Sequence, residues 1–256
     1  MELTKKSYEN PSSVGFYSKE IELHPAEKTL FKRHENELKS SKFLDIGIGA
    51  GRTTIYLANN VAEYVGVDYS QKMIDYCKSK FTKLNAEFLC CDARKMDMFP
   101  DESFDFVFFS FNGIDCVNIE DRKLILEECF RILIKGGGLL FSSHNTQYQS
   151  NLKSYSIGLN PVNTFKEIRR YRYRNLHNDW NKISNEDPYF YFNDLDYNDP
   201  IQLVYIQPNH QIGMLKEVGF NEIQCHAKSD AKILSGNNLD KYEEAWTYYF
   251  CRKTLD

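Results

Sequence analysis

Three glycines stand in the twelve residues Phe43-Leu44-Asp45-Ile46-Gly47-Ile48-Gly49-Ala50-Gly51-Arg52-Thr53-Thr54. The run closes an apolar strand and opens a helix. Glycine lets the backbone turn sharply and approach a ligand with no Cβ in the way. The helix N-terminus behind it offers unpaired N–H groups to an anionic group. Asp68 follows twenty-three positions after Asp45, at the end of the next strand, in Val65-Gly66-Val67-Asp68-Tyr69. An acid at that place accepts hydrogen bonds from a ribose diol. The expected ligand is a nucleoside-like cofactor.

Two further clusters carry candidate chemistry. His144, in Ser142-Ser143-His144-Asn145, is the histidine placed at an expected active-site strand end. An ordinary pKa near 6.5 suits it as a general base; the alternative is a structural histidine bonded to a backbone carbonyl. Arg169, Arg170, Arg172 and Arg174, interleaved with Tyr171 and Tyr173, form a basic run. Arginine grips phosphate or carboxylate bidentately, and Arg170 and Arg172 are the candidates for substrate binding. The alternative is a solvated helix face paired with the acids at 186–199. The six histidines show no H-x-x-H or H-E-x-x-H, so no metal site is expected. The seven cysteines form no C-x-x-C and are odd in number, which reads as reduced, mostly buried thiols of a cytoplasmic protein.

The elements that must position these residues alternate. Strands are expected at 42–48, 63–69, 86–91, 104–111 and 139–143, with helices over about 52–59, 71–81 and 119–134 between them. A helix starts at His24-Pro25, another runs over 211–218 with Gly219 as its cap, and strands at 221–227 and 246–252 flank a polar loop, 229–240. Such alternation means a parallel sheet with helices on both faces. Residues 147–207 break the pattern: 12 of these 61 residues are aromatic, and the basic run precedes an acidic one. A long interruption of a compact α/β domain is usually functional, and this one is read as a substrate cap inserted after the fifth strand of a single domain spanning 1–256.

The glycine spacing D-x-G-x-G-x-G departs from the dinucleotide fingerprint G-x-G-x-x-G. It resembles instead the first motif of the class I methyltransferases that use S-adenosyl-L-methionine, and the likeness extends over roughly 40–145 and 208–252. The resemblance implies a Rossmann-like, mostly parallel seven-stranded sheet whose last strand runs antiparallel. It assigns Asp45, Gly47, Gly49 and Gly51 to the methionyl part of the cofactor and Asp68 to the ribose. Tyr69 and Met73 would lie beside the adenine, and Asp92, in Cys91-Asp92-Ala93, would meet the adenine amino group with Ala93 next to it. Ser110 and Phe111 would flank the sulfur, Asn112 would orient the acceptor with Asn145 near it, and Tyr17 would close over the cofactor.

The implied reaction is transfer of a methyl group to an oxygen or nitrogen of a small polar acceptor, phosphorylated and sugar-nucleotide acceptors included. Asn/Asp-Pro-Pro-Tyr, the signature of adenine and glutamine methylation, is absent. Lys+Arg 32 against Asp+Glu 36, net −4, also argues against a dedicated nucleic-acid binder. No apolar run reaches a bilayer span, so no membrane partner is expected; nothing sets an oligomeric state. Two other classes stay open: a non-catalytic or RNA-directed cofactor-binding protein, and an NAD-dependent oxidoreductase, which the glycine spacing and Asp92 disfavour.

Overall fold

Strands that are apolar on both sides need cover on both sides, and the computed structural model of the chain has it. The structure describes residues 22–155, 158–196 and 199–255, with Gly15 and Ser18; Tyr17 lies outside them. The first half runs α1 (Pro25–Arg33), α2 (Glu35–Lys39), β1 (Lys42–Ile46), α3 (Thr54–Leu57), β2 (Glu63–Asp68), α4 (Gln71–Lys80), β3 (Ala86–Cys90), β4 (Phe104–Phe109), α5 (Ile119–Ile132) and β5 (Leu133–His144). The second half runs α6 (Gln149–Leu152), α7 (Pro161–His177), β6 (Tyr189–Asp196), β7 (Asp199–Ile206), α8 (Pro208–Val218), β8 (Phe220–Ala227), β9 (Ile233–Leu234), α9 (Asn237–Asp240) and β10 (Trp246–Lys253).

The main sheet has the order β3-β2-β1-β4-β5-β10-β8-β9. Its first five strands are mutually parallel, and β10 lies antiparallel between β5 and β8. Among the described residues the sheet thus has eight strands rather than the expected seven. The extra one, β9, is two residues at the edge of β8, inside the stretch expected to be a loop. An apolar pair is too short to show the period of a strand. The helix expected over 52–59 shrinks to the four residues of α3, because the glycine turn persists through Gly51 (φ +78°) before helical hydrogen bonds begin.

Alternation along β4 shows why both faces are apolar. Phe106 and Phe108 pack among Leu30, Phe31, Leu38, Ile74 and Cys77 from α1, α2 and α4. Val107 and Phe109 point the other way, to Ile125, Leu126 and Cys129 of α5 and Leu215 of α8. Each such side chain, fully buried, contributes about 1.5–3 kcal/mol. All seven cysteines are free; five are buried, Cys116 is half-buried and Cys90 is exposed. Between β5 and α8 the chain leaves the sheet to form α7 and the separate β6–β7 hairpin, which carry their own small core of Leu152, Ile183, Phe190, Phe192 and Tyr205. No described helix is long and apolar enough to cross a membrane.

Candidate active site

The glycine loop turns directly out of β1. Gly47 and Ile48 donate back to the Val67 carbonyl (2.8 and 3.2 Å), which ties the loop to β2. All three glycines have positive φ: +67° at Gly47, +52° at Gly49 and +78° at Gly51. Their surroundings differ. A Cβ on Gly47 would meet the Phe109 ring at 2.8 Å, and one on Gly51 would meet the Phe81 ring at 2.2 Å, whereas nothing lies within 4 Å at Gly49. Gly47 and Gly51 are required by packing, and Gly49 leaves an open backbone face.

Asp68 stands against that face. Its Oδ2 accepts the Gly49 N–H (2.9 Å) and its Oδ1 the Ser70 N–H (2.8 Å). Burial pushes its carboxyl up to about 6, against those two backbone hydrogen bonds. Asp45 lies deeper, wholly buried. Its Oδ2 accepts from Thr53 Oγ1 (2.6 Å) and the Tyr64 hydroxyl (2.7 Å), while Oδ1 is buried with no partner. Asp45 therefore props the loop from beneath. Tyr69 and Ala93 are half-buried, Met73 is inside the core and Asp92 is exposed. The Asp92 carboxylate is held by Arg94 Nε and Nη2, at 3.0 and 2.6 Å.

The second half of the site assembles beyond β4 and β5. Phe111 and Asn112 are consecutive non-glycine residues at φ +53° and +57°, a conformation that costs about 1–2 kcal/mol each and recurs at functional sites. The turn buries Asn112, whose N–H donates to Ser142 Oγ (2.9 Å) and whose Oδ1 has no partner. His144 Nδ1 lies 2.6 Å from Asp115 Oδ2, which also accepts the His144 backbone N–H (2.7 Å). Asp115 Oδ1 accepts from Arg122 Nη1 and Ser143 Oγ, both at 2.7 Å, and Gln211 Oε1 accepts from Arg122 Nε at 2.8 Å. Burial works to raise the Asp115 carboxyl, but Arg122 and the His144 hydrogen bond hold it below the usual carboxylate range. In the neutral ring, a carboxylate at Nδ1 keeps the proton there and leaves the lone pair on Nε2. Asn112 Nδ2 lies 3.4 Å from that atom.

Aromatic rings wall this end. His144 lies 4.7 Å from the Tyr205 ring and edge-on to Trp246. His24, the residue capping α1, stacks on Phe111 (5.4 Å, 2° between planes) and meets Trp246 edge-on. Among the sequence candidates, Gly49, Asp68, Asn112 and His144 thus border the sheet's carboxyl edge, with Phe111 in the wall and Ser110 buried beside it. Asn145 does not face the site: it is wholly buried, and its amide donates to the Tyr242 carbonyl (2.5 Å) and accepts from Gln147 N–H. Nor do Arg170 and Arg172 converge. Arg170 and Arg174 both grip Asp194 bidentately at 2.7–2.9 Å, and Arg172 is exposed on the other side of α7. Asp115, Arg122, His24, Tyr205 and Trp246 were not singled out from sequence. Asp115, in Ser110-Phe111-Asn112-Gly113-Ile114-Asp115, was the visible signal: an acid in a strand-end loop beside a candidate base.

A mostly parallel Rossmann-like sheet with a glycine turn after β1 and an acid at the end of β2 presents the layout of a site for a nucleoside-type cofactor at its carboxyl edge. Residues 43–137 match the family model described as a methyltransferase domain. Over 107 residues the chain is 31% identical to the biotin biosynthesis bifunctional protein BioHC of Cellvibrio japonicus, covering 42% of this chain and 20% of that protein. Over 103 residues it is 35% identical to demethylmenaquinone methyltransferase of Staphylococcus aureus, covering 39% of this chain and 41% of that one. The matches therefore span a fifth to two fifths of these relatives' lengths. In fold it is similar to an S-adenosylmethionine-dependent methyltransferase from Clostridium acetobutylicum, with a TM-score of 0.61, 16% identity, and coverage of 90% of this chain and 91% of that one. Residues 43–137 thus match a methyltransferase domain, on a fold shared with enzymes whose cofactor is S-adenosyl-L-methionine. The open backbone at Gly49 and the adjoining Asp68 carboxylate fit that cofactor.

Proposed function

We propose that the protein transfers a methyl group from S-adenosyl-L-methionine to a small polar acceptor, and that the methylated atom is a hydroxyl oxygen. The cofactor supplies, when bound, a methyl group already activated by an adjacent sulfonium. The chain's residues then have three tasks. Gly49 and Asp68 hold the cofactor, with Tyr69, Met73, Asp92 and Ala93 on its adenine side. The wall of His24, Phe111, Tyr205 and Trp246 encloses the acceptor and thins the water around it. His144 Nε2 takes the acceptor's proton while Asp115 keeps the ring in the required tautomer, and the orphan Asn112 Oδ1 accepts from a second donor group of the acceptor.

The observation that carries this reading is the Asp115–His144 pair (2.6 Å) at the same sheet edge as the open glycine loop. A neutral amine needs little help to accept a methyl group; a hydroxyl benefits from a base. The 147–207 segment acts in this reading as the acceptor's cap. Arg170 and Arg174 are taken up by Asp194, so recognition falls in this reading to the aromatic wall rather than to a phosphate clamp.

Calorimetric titration with S-adenosylhomocysteine tests the cofactor half: binding is expected, and Asp68→Ala should abolish it. Transfer of labelled methyl to a panel of hydroxyl and amine acceptors tests the other half. There His144→Ala should lower kcat about 100-fold or more with S-adenosylhomocysteine affinity kept. A wild-type chain that ignores the cofactor product overturns the whole reading; an active His144→Ala enzyme overturns the base.

A further inference from the structure

Two cations stand on the aromatic wall, and strand register brings the first of them there. Trp246 on β10 pairs with His144 on β5, and Thr247 pairs with Ala227, which sets Lys228, one residue past β8, beside Trp246. Side chains paired across antiparallel strands share a face, so His144, Trp246 and Lys228 form one row across the end of the sheet. The Lys228 backbone N–H donates to the Tyr242 hydroxyl (2.5 Å), and Lys228 Nζ stands 3.9 Å from the centre of the Trp246 ring. The second cation, Arg52, lies 5.5 Å over the Phe111 ring.

The two differ in what they leave free. Both terminal nitrogens of Arg52 are committed to Glu27. Lys228 is half-buried, and among the described residues its ammonium meets the indole and no carboxylate; Glu244, nearby in sequence, is engaged by the Tyr242 hydroxyl. On the other side of Trp246, His24 Nε2 is buried with no partner. Burial, against the pull of Glu27, lowers the pKa of His24, so the ring is neutral at neutral pH and its N–H tautomer is a donor.

A wall of rings ordinarily attracts a cation. Here cations already stand over Trp246 and Phe111, so a positively charged acceptor is repelled and an anion is drawn in. One ammonium with one neutral donor matches the single charge of a carboxylate, and the rings suit a flat body. The orphan Asn112 Oδ1, close to His144, takes a second hydroxyl. We propose that the acceptor is a small aromatic carboxylate bearing two or more hydroxyls, with its carboxylate on Lys228 and His24 and the methylated hydroxyl facing His144. This rests on the proposed methyl transfer and names its substrate class. The hydroxyl oxygen gains the methyl carbon as the sulfonium's C–S bond breaks, its proton passes to His144 Nε2, and the sulfur leaves as a neutral thioether.

The test uses the full chain with the dihydroxybenzoate isomers, their amides and the matching benzylamines. Calorimetry with S-adenosylhomocysteine present reads binding, and labelled methyl transfer reads KM and kcat. At least one acid should bind about tenfold tighter than its amide, and the amines should bind least. Lys228→Gln should raise KM for that acid about tenfold with kcat within about twofold and leave KM for the amide unmoved, and Lys228→Arg should restore the acid. Acids bound no better than their amides, or a Lys228→Gln enzyme with its acid KM unchanged, overturn the inference while methyl transfer stands. So does S-adenosylhomocysteine binding that Lys228→Gln weakens, because the anion is then the cofactor's own carboxylate. A wild-type chain that does not bind S-adenosylhomocysteine overturns the inference and the proposed function together.

Discussion

At Gly49 and Gly51 two residues of one type, two positions apart, answer to different demands. Both have positive φ, but only Gly51 has the Phe81 ring where a Cβ would go. Gly51→Ala should therefore cost about 2–4 kcal/mol through overpacking and backbone strain together, read as a lowered urea midpoint. Gly49→Ala should cost only about 1–2 kcal/mol yet lose S-adenosylhomocysteine binding, because its methyl enters the open face. Equal losses of stability in the two variants would sink the distinction. The glycine run was legible in sequence because its meaning is local: three spacings, a strand before them and a helix behind. The site around His144 was only half legible. His144 and Asn112 could be placed from strand ends, but what fixes the imidazole is Asp115, held by Arg122, held in turn by a glutamine 89 residues further on. Nothing local marks a chain of contacts that long.

The elements show the same division. Strands and helices with several apolar residues in period were found within a few positions of their ends, save β5, which begins at Leu133 rather than at 139. The two-residue β9 and the β6–β7 hairpin were not, since neither shows its partner in its own composition. Helix α1 is the element whose role emerges only in three dimensions. Glu27 on α1 is wholly buried, accepts the His24 backbone N–H (2.9 Å), and takes both terminal nitrogens of Arg52 at 2.6 and 2.8 Å. Arg52 directly follows Gly51, so one ion pair pins the first helix to the glycine loop and sets His24 over Phe111. Removing one partner of a buried pair costs about 3–5 kcal/mol. Glu27→Ala should lose that much in denaturant unfolding and weaken S-adenosylhomocysteine binding with it. Unchanged stability would mean that α1 rests on its apolar face alone.

For the molecule as a whole, the buried acids make stability depend on pH in two separate windows. Burial raises Asp45 to about 7, against hydrogen bonds from Thr53 and Tyr64, and Asp68 to about 6, from an ordinary 3.8. The folded chain thus keeps protons that the unfolded chain has lost. Their contribution falls as pH rises from about 4 to 7. Asp194, which burial would raise but Arg170 and Arg174 hold low, works the other way: its stabilisation is present above the ordinary carboxylate range and fades as pH falls below it. His226, which burial lowers to about 4, favours the higher part of the first window. The clean test is therefore a difference. Asp68→Asn should gain on wild type by on the order of 2 kcal/mol between pH 4 and 7, in urea unfolding at a series of pH values. A constant gap across that range would clear Asp68 of the titration.

The disposition of the thiols has a consequence of its own. Cys77 lies directly under the glycine turn, its Sγ 3.3 Å from the Gly49 carbonyl, and burial pushes its thiol up to about 12. Cys90, by contrast, is exposed at the end of β3. The chain thus carries an outer thiol open to any alkylating reagent and an inner one reachable only when the turn lifts off α4. The ratio of their labelling rates is a clock for that lifting, kept by residues native to the chain and wound by whatever occupies the turn.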